Sequence, residues 1–421
     1  MTRRVRVGVI FGGRSGEHEV SLVSARTIMD ALDPTRYEVV PIGIAKDGTW
    51  LLTGDPHREL TRAAEAEHRA LESAASLPRP TSPPEGEGDL TPYPYAAAER
   101  GSEPSLRLLS PSRRAGTSGA RVGGEVLPDT RHPTPDSRSL VPADMPPLDV
   151  VFPVLHGPYG EDGTVQGLFE LAGIPYVGAG VAASAVGMDK AMMKALFRDA
   201  GLPTVPLVVV HRRELEDDDS AIIDRIERDL GYPCFTKPAN LGSSVGISKC
   251  RDRDQLRDGL REAARYDRKI LVEKGLSVRE LECSVLGNDD PIASVVGEII
   301  PAAEFYDYDA KYRSDQTRLI IPAEIPPDVA DEIRRLAVIA FRSIDAAGLA
   351  RVDFFLEIPA ERVYVNEINT MPGFTSVSMY PKLWAASGLS YPELLQRLID
   401  LAIERHIERR TTLRRATDES A

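Results

Sequence analysis

The chain has 421 residues, of which 42% are hydrophobic and 27% charged, and its formal net charge is −13. This length allows two or three domains with sizeable cores. The acidic balance argues against a nucleic-acid partner, because nucleic-acid-binding domains normally carry a basic face. No apolar run reaches the roughly 18 residues of a membrane-spanning helix, so we expect no membrane partner. Three cysteines without a CxxC pair are typical of reduced thiols and predict a cytoplasmic protein.

The N-terminal region predicts a strand, a helix and a second strand. An apolar run at 5–11 leads into a glycine-rich turn, apolar residues recur at helical spacing up to Pro34, and a second run covers 37–44. This order predicts an open parallel sheet. The turn has the spacing GGxxG rather than the GxGxxG of dinucleotide-binding loops. Glu17, at the start of the helix, suits an ammonium group or a hydrogen-bonded relay.

Residues 78–147 differ in composition from the rest of the chain. They contain 14 prolines, 7 glycines and no lysine, which is typical of low-complexity segments. We expect a tolerated surface insertion without much fixed structure, in which 106–109 and 122–127 could pair as a small hairpin. A functional role for the segment is the alternative.

From residue 148 onward the pattern of strands and helices returns. Apolar runs bounded by turn residues predict strands at 148–156, 174–177, 203–210, 233–237, 270–273, 281–286 and 292–300. Helical spacing predicts a helix after the loop 157–163 and further helices at 188–200, 328–347 and 391–409.

Polar residues follow two apolar runs near the C-terminal end. Asp353 ends one run, with Arg351 beside it, and Glu367 and Asn369 end the next run. Their i, i+2 spacing places Glu367 and Asn369 on one face of a strand. Two carboxylates and an amide oxygen suit Mg²⁺, which is usually held together with substrate phosphates. The sequence therefore predicts a magnesium site, with solvated strand ends as the plainer alternative.

A loop of small residues follows Lys237 and runs to Gly246, with Ser243 and Ser244 inside it. Backbone N–H groups of such a loop can approach a polyphosphate, and the lysine adds a point charge. The lysine precedes the glycines, so the loop is not a Walker A motif. A β-hairpin with a glycine tip is the alternative interpretation.

Two further segments predict parts of the site, with a commonplace charged strand linker and a tyrosine-rich surface loop as the respective alternatives. The linker 273–276 has backbone groups that can bind an adenine edge, and Glu280 can accept from ribose hydroxyls. The polar and aromatic segment 306–314, which contains Lys311 and Tyr312, is typical of lids that close over a reaction.

These motifs, in this order, resemble the ATP-grasp superfamily and, more closely, the D-alanine–D-alanine ligase family. The resemblance covers residues 4 to about 405 except the insertion. It is carried by residues 12–22, 156–163, 187–190, 237–246, 273–274, 306–312 and 367–378. It implies a mixed α/β and α+β chain, an ATP-grasp fold with an N-terminal open parallel-sheet (pre-ATP-grasp) domain. The implied domains are an N-terminal substrate domain at 1–178, a central subdomain at 179–272 and a C-terminal subdomain with the metal site at 273–421.

The resemblance also implies a set of binding residues. ATP would contact Lys190, Lys237, Ser244, Glu273, Lys274, Leu276 and Glu280. Two Mg²⁺ or Mn²⁺ ions would be held by Asp353, Glu367 and Asn369.

The implied reaction joins two D-alanines through an acyl phosphate, for peptidoglycan precursors, in a homodimer. Arg351 and the backbone near Gly373 would stabilise the oxyanion. The first D-alanine would be anchored and positioned by Glu17, which is linked through Ser243 to Tyr312, and by His156. The second would contact Ser378, Lys311 and Met379.

Three alternatives stay open. D-alanine:D-lactate ligases of the glycopeptide-resistance type resemble this chain but commonly carry histidine at the lid tyrosine, where this chain has Tyr312. A non-catalytic ATP-binding regulator with the same fold is disfavoured by the metal-ligand set and Arg351. A nicotinamide-dependent dehydrogenase is suggested only by the first glycine turn, and the missing GxGxxG motif weighs against it.

Overall fold

A computed structural model describes residues 3–75, 145–217, 219–242, 245–300, 318–375 and 377–418. Residues 1–67 and 135–421 belong to one compact unit, and 68–134 form a second, of which only a helix end is described. The predicted hairpin and nearly all of the predicted insertion lie outside the described residues. None of the helices in the described ranges is both long and apolar enough to cross a membrane.

The N-terminal sheet has the order β3-β2-β1-β4. Strands β1 (Val5–Gly12), β2 (Tyr37–Ile44) and β4 (Val150–Val154) are parallel, and the short β3 (Trp50–Leu51) is an antiparallel edge. The interior of β1 is buried, as expected for a strand covered on both faces. The predicted parallel sheet is confirmed. The helices of this region are α1 (His18–Ala31), α2 (Pro56–Ala75) and α3 (Thr164–Ala172).

Two predicted elements of this region are wrong in detail. The segment 174–177 is not a strand but a single parallel bridge between Val151 and Tyr176. Two backbone hydrogen bonds join the segment to Val151, and no further ladder of hydrogen bonds follows them. The predicted helix 188–200 is instead the end of α4 (Val181–Met188) and a separate helix α5 (Lys190–Asp199). Asp189 separates them, since its side chain caps α5 by accepting from two backbone N–H groups at 3.1 Å.

The central sheet is antiparallel, with the order β5-β8-β6-β7. Its strands are β5 (Leu207–His211), β6 (Cys234–Pro238), β7 (Ser248–Cys250) and β8 (Lys269–Lys274). Its helices are α6 (Arg212–Asp217), α7 (Asp219–Asp229) and α8 (Arg253–Tyr266). Helix α8, which has no counterpart among the predicted elements, buries Leu256, Leu260 and Ala263 in the core beneath this sheet.

The C-terminal sheet is also antiparallel, with the order β11-β10-β9-β12-β13. Its strands are β9 (Val278–Gly287), β10 (Ile292–Ile300), β11 (Arg318–Ile320), β12 (Gly348–Glu357) and β13 (Val363–Asn369). The helices that follow the chain are α9 (Pro327–Ser343), α10 (Met379–Ala386) and α11 (Tyr391–Asp418). Asp353 therefore lies inside β12, not at its end, because aromatic and aliphatic residues continue the alternation beyond it.

The last helix connects the C-terminal part of the chain to the first sheet. Leu394, Leu395 and Leu398 of α11 are buried in one apolar cluster with Val9 and Phe152 of the parallel sheet. This packing fixes the N-terminal turn and the C-terminal sheet within one unit, and the candidate site lies among them.

Candidate active site

A cleft in the described part of the chain is lined by both antiparallel sheets. Nine of the predicted site residues line it, namely Lys190, Lys237, Glu273, Lys274, Leu276, Glu280, Arg351, Asp353 and Glu367. Asn369 lines an adjoining cavity together with Lys190, Glu161 and Glu367. The residues predicted for the nucleotide and the metal are thus brought together. Ser243, Ser244, Lys311 and Tyr312 lie outside the described residues.

The loop after Lys237 is the tip of a hairpin, as the alternative interpretation predicted, and it lines the cleft. Strands β6 and β7 pair as an antiparallel hairpin, and the tip between them lines the cleft through Leu241, Gly242 and Val245. The Lys190 ammonium donates to the Leu241 carbonyl at 3.0 Å and lies 3.2 Å from Glu367 Oε2. Lys190 therefore connects the hairpin tip to Glu367, one of the predicted metal ligands.

A buried carboxylate between two lysines forms one wall of the cleft. Glu273 Oε1 lies 2.6 Å from Lys194 Nζ, and Glu273 Oε2 lies 2.5 Å from Lys237 Nζ. Burial alone would raise the pKa of Glu273, but the charges and hydrogen bonds of the two lysines outweigh it and hold the pKa at about 2. Glu273 thus fixes the Lys237 side chain where it faces the cleft.

Sequence reasoning missed Lys194, which is fully buried in the structure. Its i, i+4 spacing from Lys190 on α5 placed both lysines on one helix face. A buried lysine requires an acidic partner, but the partner, Glu273, is on a strand that the spacing could not indicate.

The predicted metal ligands face one another across neighbouring strands. Asp353 of β12 is directly opposite Glu367 of β13, and Arg351 is directly opposite Asn369. Side chains at such opposed positions are about 4.5–5.5 Å apart at Cβ. Arg351 Nε and Nη2 donate to the two Asp353 oxygens at 2.7 and 2.8 Å. Burial tends to lower the pKa of Arg351, but the neighbouring Asp353 and Glu282 carboxylates raise it well above its usual value.

The oxygen donors fit a hard divalent cation. Two carboxylates and an amide oxygen are available, and Mg²⁺ usually keeps several waters and substrate phosphate oxygens besides. The Asn369 amide oxygen is oriented by the backbone N–H of Met371, which donates to it at 3.0 Å. Among the described residues, no three His, Cys, Asp or Glu side chains are grouped to hold a metal ion.

At the N-terminal side of the site, Glu17 and His156 are linked through Ser15. The Ser15 hydroxyl donates to the His156 carbonyl at 2.6 Å and accepts from the Glu17 N–H at 3.3 Å. His156 Nδ1 donates to the Met371 carbonyl at 3.1 Å, so the proton is on Nδ1. Its Nε2 is buried without a hydrogen-bond partner among the described residues. Burial lowers the pKa of His156 and keeps the ring neutral.

Glu161 is a second functional candidate that sequence reasoning missed. Its carboxylate accepts from the Gly157 N–H at 2.6 Å. Burial and the nearby Glu17 raise the pKa of Glu161 to about 8, so the group is largely protonated at neutral pH. Glu161 lines a cavity together with Lys190 and Glu367, and its carboxyl group also interacts electrostatically with Glu17. The position of Glu161 in the loop 157–163, which carries part of the family resemblance, could have identified it as a candidate site residue.

Two of the residues predicted for the second substrate, Ser378 and Met379, lie just before and at the start of α10. Ser378 Oγ accepts from the Thr375 N–H at 3.1 Å and is 2.7 Å from the Thr375 hydroxyl. A Cβ at Gly373 would come within 2.8 Å of Ser378 Oγ, so glycine permits this close approach. Met379 is buried in a small apolar cluster with Ile299 and Leu383.

Two antiparallel sheets around a lysine-rich cleft, preceded by a parallel sheet, define a nucleotide-binding enzyme of the ATP-grasp class. The family models for the N-terminus and the C-terminus of D-ala D-ala ligase match residues 6–179 and 196–400. The chain belongs to the D-alanine–D-alanine ligase family, as its motifs predicted.

Individual relatives agree with this membership. The chain is 49% identical to a D-alanine–D-alanine ligase of Heliobacterium modesticaldum, over 96% of each chain. It resembles the solved D-alanine–D-alanine ligase of Coxiella burnetii with a TM-score of 0.72 and 32% identity, over 100% of this chain and 99% of the other. A solved D-Ala:D-Ser ligase of Enterococcus faecalis is similar at a TM-score of 0.70 and 31% identity, over 95% and 100%.

Proposed function

We propose that this chain joins two D-alanine molecules into D-alanyl-D-alanine at the expense of ATP, as a cytoplasmic step in peptidoglycan precursor synthesis. The observation that carries the proposal is the opposition of Asp353 and Glu367 in the cleft that also contains Lys237 and Glu273. Carboxylates of this kind beside fixed lysines are what phosphoryl transfer from ATP requires. The buried, unpaired cysteines Cys234, Cys250 and Cys283 agree with a reducing compartment.

In this proposal the cleft holds ATP. Lys190 and Lys237 neutralise phosphate charge, and Glu273 keeps Lys237 in place. The hairpin tip, with Ser243 and Ser244, covers the phosphates. The linker residues Lys274 and Leu276 contact the adenine, and Glu280 accepts from the ribose.

Asp353, Glu367 and Asn369 would hold two Mg²⁺ or Mn²⁺ ions, which would neutralise charge on the β- and γ-phosphates. Without a cation, the two opposed carboxylates are offset by Arg351 and Lys190. Each of the two carboxylates is thereby held in place by a neighbouring cation.

The chemistry then follows in two steps. A carboxylate oxygen of the first D-alanine attacks the γ-phosphorus, the bond to the ADP oxygen breaks, and an acyl phosphate forms. The uncharged amine of the second D-alanine attacks the acyl carbon, phosphate leaves with the bonding pair, and the proton lost by the nitrogen ends on the released phosphate. Arg351 and the backbone near Gly373 stabilise the oxyanion formed in between.

The remaining residues bind the two amino acids. Glu17 anchors the first ammonium group, and the neutral His156 offers Nε2 as an acceptor beside it. Ser378 and Lys311 bind the second carboxylate, with Met379 next to its methyl group. Ser243 and Tyr312 complete a relay from Glu17 over the second substrate. We further propose a homodimer, and domains at 1–178, 179–272 and 273–421.

The test is ADP release with D-alanine alone and with D-alanine plus D-lactate, with each product identified by mass spectrometry. We expect D-alanyl-D-alanine as the main product in both cases at pH 7.5. Tyr312 carries this expectation, because a histidine there could become cationic near its pKa of about 6.5 and repel the second ammonium group. Depsipeptide as the main product would refute the second-substrate proposal, and absence of ADP release would refute the activity.

A further inference from the structure

Two lysines share one buried carboxylate in the wall of the cleft. Lys194 Nζ lies 2.6 Å from Glu273 Oε1, and Lys237 Nζ lies 2.5 Å from Glu273 Oε2. In the described part of the chain, neither lysine forms an ion pair with another carboxylate. Two cations beside one anion leave one positive charge in surplus.

The two lysines differ in what they can reach. The Lys237 side chain is 10% exposed and lines the cleft, whereas that of Lys194 is fully buried. Lys194 lies on the inner face of α5, whose Met193 and Phe197 are buried in the apolar core of the C-terminal sheet. A ligand in the cleft can therefore contact the surplus charge only through Lys237.

The ion pair of Lys194 does more than fix Lys237 in place. The contact with Glu273 Oε2 is enough to hold Lys237, but that pair alone would carry no net charge and would attract a phosphate only weakly. Burial lowers the pKa of Lys194, an effect that the charge of Glu273 opposes. An opposite charge in contact favours the ionised form of each group, so Lys194 adds a second cation to the pair.

We propose that Lys194 is a positioning residue that neutralises Glu273 from inside the core, so that the charge of Lys237 stays available to the phosphate groups of a nucleotide in the cleft. This role rests on the proposed function, in which Lys237 binds the phosphates of ATP. Without Lys194, both oxygens of Glu273 would draw the Lys237 ammonium towards the wall. Lys194 itself touches neither the nucleotide nor D-alanine.

The test is a double-variant cycle on ADP binding, measured by isothermal titration calorimetry with Mg²⁺ and without D-alanine. Lys194→Met and Lys237→Met are made singly and together. The matched control is Phe197→Leu, because Phe197 lies on the same helix and is also fully buried but carries no charge. Urea unfolding of each variant and KM for D-alanine are measured alongside.

In the wild-type background we expect Lys194→Met to weaken ADP binding by about tenfold or more, with KM for D-alanine changed less than threefold. In the Lys237→Met background the same change should weaken ADP binding less than twofold, because no Lys237 charge remains to be made available. Phe197→Leu should unfold at a lower urea concentration and keep its ADP affinity within twofold of the wild type. Lys194→Arg, which retains the charge, should bind ADP more tightly than Lys194→Met.

Equal losses of ADP affinity in the two backgrounds would overturn the proposal, because Lys194 would then act without Lys237. An ADP affinity within twofold of the wild type in Lys194→Met, or equal losses in Lys194→Met and Phe197→Leu, would also overturn it. If Lys194→Met does not fold, Lys194→Gln, which is uncharged but keeps a hydrogen-bond donor, replaces it in the cycle with the same outcomes.

The binding measurement needs no turnover. A wild type that binds ADP, but releases none from ATP in the presence of D-alanine, would refute the proposed function and leave the ADP cycle intact.

Discussion

Replacing Glu273 with glutamine removes a buried carboxylate that contacts two lysines. Its oxygens lie 2.6 Å from Lys194 Nζ and 2.5 Å from Lys237 Nζ, and the residue is 4% exposed. The pKa of about 2, against an ordinary 4.5, corresponds to about 3 kcal/mol of stabilisation by the ionised form. Breaking a buried ion pair by removing one partner costs about 3–5 kcal/mol. The pKa shift and the general cost of a broken ion pair therefore predict a similar loss of folding stability.

The sign of the pH dependence follows from the lowered pKa. The ionised carboxylate stabilises the fold at every pH above about 4.5, and this stabilisation is lost as the pH falls through 2. The difference in stability between the wild type and Glu273→Gln should therefore be constant from pH 7 to about 5 and shrink below that. ATP affinity should fall as well, because Lys237 loses the group that holds it.

The assay is urea unfolding of both proteins at pH 7, 5, 4 and 3, with Glu67→Gln as the control. Glu67 forms a surface ion pair with Lys46 at 2.7 Å, with both side chains more than 40% exposed. A pair of this kind contributes only about 0–1 kcal/mol. A loss for Glu273→Gln no greater than that of the control at pH 7 would refute the reasoning, as would a difference that stays constant down to pH 3.

Three other predictions concern turnover. Glu367→Gln should nearly abolish ADP release with the fold intact by circular dichroism, and retention of more than a tenth of the rate, a loss under about 1.4 kcal/mol, would contradict the metal assignment. Deleting residues 82–138 should leave activity largely unchanged, because loop closure changes by only about 0.6 kcal/mol per doubling of length; loss of active protein would show that the segment is structural. Glu161→Gln should keep its rate at pH 7, where Glu161 is largely protonated, and should lose any fall in kcat/KM above pH 8. An unchanged fall above pH 8 in this variant would contradict that role.

Much of the site could be predicted because its signals are local. The period of two in a strand placed Glu367 and Asn369 on one face, and the turn after β1 placed Glu17 at the start of a helix. Local patterns also predicted that the first sheet is parallel. Local reasoning failed at Asp189, which can either continue a helix or cap the next one. In the structure its side chain caps α5.

The tertiary structure alone decided which charges meet. The register of three strands sets Glu282, Asp353 and Glu367 in one row, and a shift of one residue would turn a strand's side chains to the opposite face. The pairing of Lys194 with Glu273 joins a helix to a strand 79 positions away. Sequence patterns report the direction of a side chain from its own element. Register and packing between distant segments determine its partners, its pKa and therefore its chemistry.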